Sequence, residues 1–300
     1  MGFRLANIEG RAALVFGDDY YDLEKASGGR LGGDAMMALE SLDILGDVAG
    51  ALSGQTPTGR VADVRLGPPV PRPRNCYGIG LNYRKHAEES KMALPEAPLV
   101  FTKFPSCITG PDADIELRSD YVDYEGELVV VIGPGGKDIS VDDAWRHVAG
   151  VCIGQDISDR PAQFGSAPPH FDLGKSFDTF GPIGPLLVST DEVSPGADLE
   201  LVTKINGEVR QQDNTGDLIF SVPQLVSYLS HITTLAAGDI IFTGTPSGVG
   251  AFDGRFLKDG DIVTTTIAEL GTMTNRCVRV SDHPRADFVP PQLKAILDRD

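Results

Sequence analysis

Residues 122–132 read Val-Asp-Tyr-Glu-Gly-Glu-Leu-Val-Val-Val-Ile, and this stretch decides what kind of core the chain builds. Alternate side chains of a strand share a face, so Glu125 and Glu127 point the same way with Cα atoms roughly 6.5–7 Å apart. Val129 and Val131 continue that face, while Leu128, Val130 and Ile132 form the other. A strand apolar on both faces is buried on both. Two carboxylates at its start cannot both stay ionised there without a counter-charge. A divalent cation that favours hard oxygen ligands, Mg²⁺ or Mn²⁺ with Ca²⁺ as a third candidate, supplies one. The competing reading, an exposed strand end with both glutamates solvated, stays open from this stretch alone. A third ligand is available in Asp156, which follows the apolar run 151–153 inside GQDISDR and reaches the same spot if the two strands are neighbours. Asp159, beside Arg160, reads as half of a local ion pair instead.

Outward from this strand the chain is a series of short strands and loops. Runs at 75–80, 98–104, 151–153, 199–205, 208–211, 240–243, 262–268 and 272–280 have strand character. Asn206-Gly207 joins two of them as a hairpin, because both residues tolerate the positive φ of a type I′ turn. Helices are expected at 35–45, with 47–52 continuing it, and at 82–91. Ser140 followed by Asp143 resembles a capping box for a helix of about two turns closing at Gly150. Ser221 is the N-cap of a helix over 221–230, with Pro223 in its first turn. The proline-rich connector 67–73 (GPPVPRP) marks a boundary between a small N-terminal domain, 1–70, and a catalytic domain, 71–283, followed by a tail over 284–300. Regular β-α alternation is missing, so the fold class reads as α+β, mostly β.

The 300 residues carry 35 Gly and 21 Pro, a composition rich in turns, with 41% hydrophobic content. The formal net charge of −17 repels phosphates and anionic lipid headgroups, which argues against nucleic acid or membrane as partner. An anionic substrate then needs locally placed positive charge. The four cysteines lack CxxC spacing and read as buried thiols of a cytoplasmic protein.

A second cluster lies in LNYRKHAEES, residues 81–90, where His86 and Glu89 are three apart and share one helical face. A carboxylate beside an imidazole orients it and raises its basicity. A solvated helix face is the plainer reading of an isolated HxxE. The stretch TGTPSGVG, residues 243–250, lacks the Lys-Ser/Thr ending of a P-loop and reads as a backbone loop lining a pocket, with Thr245 offering a hydroxyl. Composition alone gives Lys175, in GKSFDTFGP, no special status.

The ordered series GLNYRKHAEE, FTKFPSCITGP, VDYEGELVVVIG, GQDISDRPAQ, LGKSFDTFGPIGP, KINGEVRQ and DIIFTGTPSGVG resembles the fumarylacetoacetate hydrolase family, over about residues 74–280. The resemblance implies a mixed β-sandwich roll core with a small N-terminal α/β domain, and assembly as a homodimer. It implies a divalent metal on Glu125, Glu127 and Asp156, and His86 and Glu89 as the pair that activates water. It also implies Lys175 as the catalytic lysine facing the substrate. Lys103, Arg160, Gln163 and Thr245 fall on positions that contact the substrate. Two departures stand out: Gln155-Asp156 in place of Asn-Asp, and Arg160-Pro161 in place of Arg-Asp. The implied reaction is hydrolysis of a C–C bond in an acylpyruvate or β-diketone-type oxo acid. The alternatives are isomerisation (tautomerisation) or decarboxylation of a hydroxyheptadienedioate- or oxaloacetate-like acid, since all three reactions share an enolate. A catalytically silent metal-binding homologue is the non-enzyme alternative.

Overall fold

A computed structural model describes residues 2–280. The call of a tail from residue 284 lies outside them. Among the described residues, a 12-stranded mixed sheet forms the centre, accompanied by a five-stranded sheet and a two-stranded ribbon. No helix there is long and apolar enough to cross a membrane.

The glutamate strand, Gly126–Ile132, is buried along its whole length and lies in the interior of the large sheet. It pairs antiparallel with Val148–Gln155 on one side and with Ile240–Phe242 on the other. Its alternation sorts side chains into two cores. Val129 and Val131 join a cluster with Leu5, Leu14, Leu45 and Val48, while Leu128, Val130 and Ile132 join one with Leu225 and Leu229. The five-stranded sheet contributes Leu201, Ile267 and Met273 to the second core, which makes the architecture a sandwich. The N-terminal strand Arg4–Ile8 pairs antiparallel with Gly181–Ser189, so the first residues extend the large sheet and bury their apolar faces in the first core.

Local turn chemistry acts as expected at two places. Asn206 and Gly207 have φ of 51° and 84° between the strands Glu200–Ile205 and Glu208–Asn214. Ser221 and Gln224 form a reciprocal capping box at the start of the Val222–Ile232 helix.

Two expectations are corrected. The helix expected up to Gly150 is only a 3-10 turn, Ala144–His147, after which the chain enters the Val148–Gln155 strand. The Ser140–Asp143 hydrogen bonds form, but Gly150 pairs with both Val131 and Ser189, and these ladder contacts outweigh a local cap. The helix expected over 35–45 and beyond is broken into Ala35–Leu39 and Leu42–Gly50. The break lets Leu39, Leu45 and Val48 all reach the first core.

Candidate active site

The start of the glutamate strand, the end of its neighbour and the loop after Phe242 meet at one point. Asp156 N–H donates to the Glu125 carbonyl at 2.8 Å, which locks the ends of the two strands together. Glu125, Glu127 and Asp156 are all buried, and each offers a carboxylate oxygen within 4.8 Å of the others. The neighbouring of the two strands, which the sequence left conditional, is thus observed. Gly244, held at a φ of 107°, donates its N–H to Glu127 at 2.7 Å.

The counter-charges come from elsewhere in the chain. Lys175 Nζ donates to Glu125 at 2.7 Å, to Asp156 at 2.6 Å and to Ser158 at 2.9 Å. Arg160 donates to Asp123 through Nε and Nη2, to Glu125 at 2.7 Å and to the Gln163 side-chain oxygen at 2.7 Å. Asp123 is itself buried and also accepts from the backbone of Gly250 and Ala251. Burial pushes the Glu125 carboxyl up, but Lys175 and then Arg160 outweigh it and hold it down at about 2. Glu127 is pushed well above the ordinary carboxylate range by burial first, then by Asp156 and Glu125. The counter-ion that the strand argument required is therefore supplied to Glu125 by protein cations, and the deficit falls on Glu127.

That deficit is the test of whether a divalent cation suits these residues. The donors are three hard carboxylates converging at ligand spacing, the set preferred by Mg²⁺, Mn²⁺ and Ca²⁺. The buried group comprises the carboxylates of Asp123, Glu125, Glu127 and Asp156 against the cations of Lys103, Arg160 and Lys175. With all four ionised it carries one excess negative charge, and a divalent ion reverses that excess. The residues fit such an ion.

His86 and Glu89 lie on the helix Arg84–Glu89, with His86 Nδ1 at 3.3 Å from the Glu89 carboxylate. Gly248 N–H donates to both Glu89 oxygens at 3.1 Å, so the Gly-rich loop holds the carboxylate that holds the imidazole. His86, Glu125, Arg160, Gln163, Lys175 and Thr245 all line one cavity of about 450 Å³. Of the remaining candidates, Glu89, Glu127 and Asp156 are not part of its lining, and neither is Lys103. Its Nζ is buried behind Asp156, donating to Asp156 at 2.7 Å, to the Phe180 carbonyl at 3.1 Å and to the Lys175 carbonyl. Thr245 lines the cavity, yet its hydroxyl is committed to the scaffold, between the Gly126 carbonyl and the Gln211 amide.

Both departures from the family pattern have a structural place. Gln155 accepts the Glu125 N–H at 2.9 Å and donates to Thr265 at 2.8 Å, so it fixes the backbone of one acidic residue. Pro161 sits in the first turn of Arg160–Phe164, where its missing N–H costs nothing, with Asp159 capping the helix through Ala162 N–H. Asp159 is thus a cap, and the Arg160 hydrogen bonds go to Asp123, Glu125 and Gln163 rather than to it. Sequence reasoning missed Asp123 as Arg160's buried partner. The signal was present: Asp123, Glu125 and Glu127 are spaced by two, the strand repeat.

Residues 75–278 match the family model described as "Fumarylacetoacetate (FAA) hydrolase C-terminal". The chain is 43% identical to a mitochondrial oxaloacetate tautomerase (FAHD2A) of Bos taurus over 232 residues, covering 76% of this chain and 74% of that protein. It is 44% identical to the oxaloacetate tautomerase YisK of Bacillus subtilis over 224 residues, covering 72% and 74%. Among solved structures, maleylpyruvate hydrolase from Sphingobium sp. SYK-6, in complex with manganese(II) and pyruvate, superposes with a TM-score of 0.78. That match has 29% identity and covers 92% of this chain and 99% of that one.

Proposed function

The chain belongs to the fumarylacetoacetate hydrolase family, and from that premise we propose that it is a divalent-metal-dependent isomerase that interconverts the enol and keto forms of a 2-oxo acid. The reading is carried by the His86–Glu89 dyad facing Glu125 and Lys175 across one cavity. The relatives support isomerisation better than C–C bond hydrolysis among the reactions that share this machinery, since the tautomerases are 43% and 44% identical to this chain and the hydrolase 29%.

A cation held by Glu125, Glu127 and Asp156 would lower the cost of negative charge developing on the C2 oxygen of a 2-oxo acid. The other roles belong to side chains. Glu89 accepts from His86 Nδ1 and leaves Nε2 as the free base of the ring. In the keto-to-enol direction Nε2 removes a proton from C3, and the C–H electrons become the C2–C3 double bond. The carbonyl π electrons move to the C2 oxygen, which takes a proton from the Lys175 ammonium or from water. The enol-to-keto direction reverses each transfer. Arg160 carries no proton in this scheme. It fixes Glu125 relative to Asp123.

The test follows loss of the enols of oxaloacetate and phenylpyruvate by ultraviolet absorbance, with the protein loaded with Mn²⁺ and again after EDTA. Acceleration that needs the metal is expected for at least one of them, with little cleavage of acylpyruvates. Interconversion of both no faster than in buffer, with Mn²⁺ bound, would refute the reading.

A further inference from the structure

The inner end of the cavity is ionic, but the wall leading out of it is not. Phe101 lies edge-on to Phe171 with ring centroids 5.8 Å apart, and Phe164 meets Phe171 in the same way at 5.9 Å. This row of rings begins at the reacting end, since Lys175 Nζ sits 5.0 Å from the Phe101 centroid. Phe252, also in the lining, packs against His86 at 5.7 Å. Met92 and Leu99 line the cavity as well, and both are exposed, at 55% and 42%. Apolar surface is therefore left in contact with water at the mouth of the cavity.

Cations are scarce along this path. Arg160 and Lys175 contribute the only Lys or Arg side chains of the lining, and both lie in the buried ionic group. Four donor contacts of Arg160 go to Asp123, Glu125 and Gln163, and Lys175 stays at the reacting end, where it meets Glu125, Asp156 and Ser158. A second carboxylate at the far end of a substrate would lose water among phenyl rings without gaining a partner, a large penalty for a charged group. An apolar substituent in the same place would gain by covering Met92, Leu99 and the rings.

We infer that the substrate of this site is a 2-oxo acid whose far end is an uncharged apolar or aryl group, not a second carboxylate, with Phe101, Phe164, Phe171, Phe252, Met92 and Leu99 receiving that group. The inference rests on the 2-oxo acid reading above and narrows it. The relatives named for oxaloacetate act on a dicarboxylate; this cavity has room and lining for a bulkier monocarboxylate.

Phenylglyoxylate and 4-carboxyphenylglyoxylate test this apart from turnover. Neither can enolise, because C3 is an aromatic carbon without hydrogen; neither carries a carboxylate β to the carbonyl that could leave as CO₂; and they differ only in a para hydrogen replaced by a carboxylate. Binding to the full chain loaded with Mn²⁺ is measured by calorimetry. Phenylglyoxylate is expected to bind at least about tenfold more tightly, the factor that desolvating an unpartnered charge easily exceeds. Met92→Arg, a change at an exposed position, should close or invert that ratio by giving the far carboxylate a partner. Equal or tighter binding of 4-carboxyphenylglyoxylate by the unaltered protein overturns the inference, as does a ratio that Met92→Arg leaves unmoved. Selective binding together with failure to convert the enols of both oxaloacetate and phenylpyruvate would support this inference and sink the isomerase reading. Conversion of enol oxaloacetate faster than enol phenylpyruvate would do the opposite.

Discussion

Lys103 holds Asp156 from the side away from the cavity: its Nζ lies 2.7 Å from Oδ1, while Lys175 approaches Oδ2 at 2.6 Å from the cavity side. The two lysines are linked as well, because the Lys175 carbonyl accepts from Lys103 Nζ. Burial works to lower the Lys103 pKa, and Asp156 more than reverses this, so its pKa is raised and the ammonium stays charged. Lys103 is therefore placed to hold Asp156 and not to reach the cavity, which Lys175 lines.

Lys103→Met should be strongly destabilising. It removes one partner of a fully buried pair and takes the Lys103 donor away from Asp156 Oδ1 and the Lys175 carbonyl, while the Phe180 carbonyl keeps the Ile157 N–H. Breaking such a pair costs about 3–5 kcal/mol. Urea unfolding of the metal-free protein measures it, and a loss below about 1 kcal/mol would show that the pair is dispensable.

Gly244→Ala attacks Glu127, one of the proposed metal ligands, through the backbone. A φ of 107° strains any residue with a Cβ, and that Cβ would come within 2.7 Å of the Asn82 side chain and 3.2 Å of the Ile79 carbonyl oxygen. The strain costs about 1–3 kcal/mol, and moving the N–H away from Glu127 should weaken Mn²⁺ binding as well. Calorimetric titration with Mn²⁺ checks the second effect; an unchanged affinity would separate Gly244 from the metal site.

Stabilisation by Mn²⁺ should grow with pH. Without metal, the raised pKa of Glu127 means that the folded state binds its proton more tightly than the unfolded chain does. That contribution to stability is complete below the unfolded carboxyl pKa and is lost as pH rises through the folded value. Glu125 behaves oppositely. Its stabilisation is present above the ordinary carboxylate range and disappears as pH falls through about 2. A bound cation requires Glu127 ionised, so binding releases its proton and is favoured as pH rises. The melting temperature gained on adding Mn²⁺ should be larger near pH ~8 than near pH ~5. A pH-independent gain would contradict the assignment of Glu127 as a ligand.

His86→Ala should lower isomerisation by about 10²–10⁴-fold, the usual contribution of a positioned general base. Mn²⁺ affinity should be nearly unaffected, since His86 is not among the converging carboxylates. Glu89→Gln should have a smaller effect on rate in the same direction, because it leaves a partner for Nδ1 but removes the charge. Steady-state rates with parallel metal titrations distinguish a lost base from a lost metal.

What the sequence by itself determined are the features governed by neighbours along the chain. The spacing of Glu125 and Glu127 by two placed both on one face, and the valines that follow sorted themselves into the two cores on the same periodicity. Asn206-Gly207 and Ser221 shaped the turn and the helix start through their own φ preference and hydrogen bonds. The ordered motifs identified the family. Tertiary structure alone decided the partners. Lys103, Arg160 and Lys175 are scattered over 72 residues and look like ordinary cations until folding buries them against Asp123, Glu125 and Asp156. Their meaning is electrostatic, and electrostatics depends on distance in space and on burial, which no local pattern encodes. The same reason explains residues 148–150. Their helical signal was local, but Val148 pairs with Ile132 and Gly150 pairs with both Val131 and Ser189, and the strand prevailed.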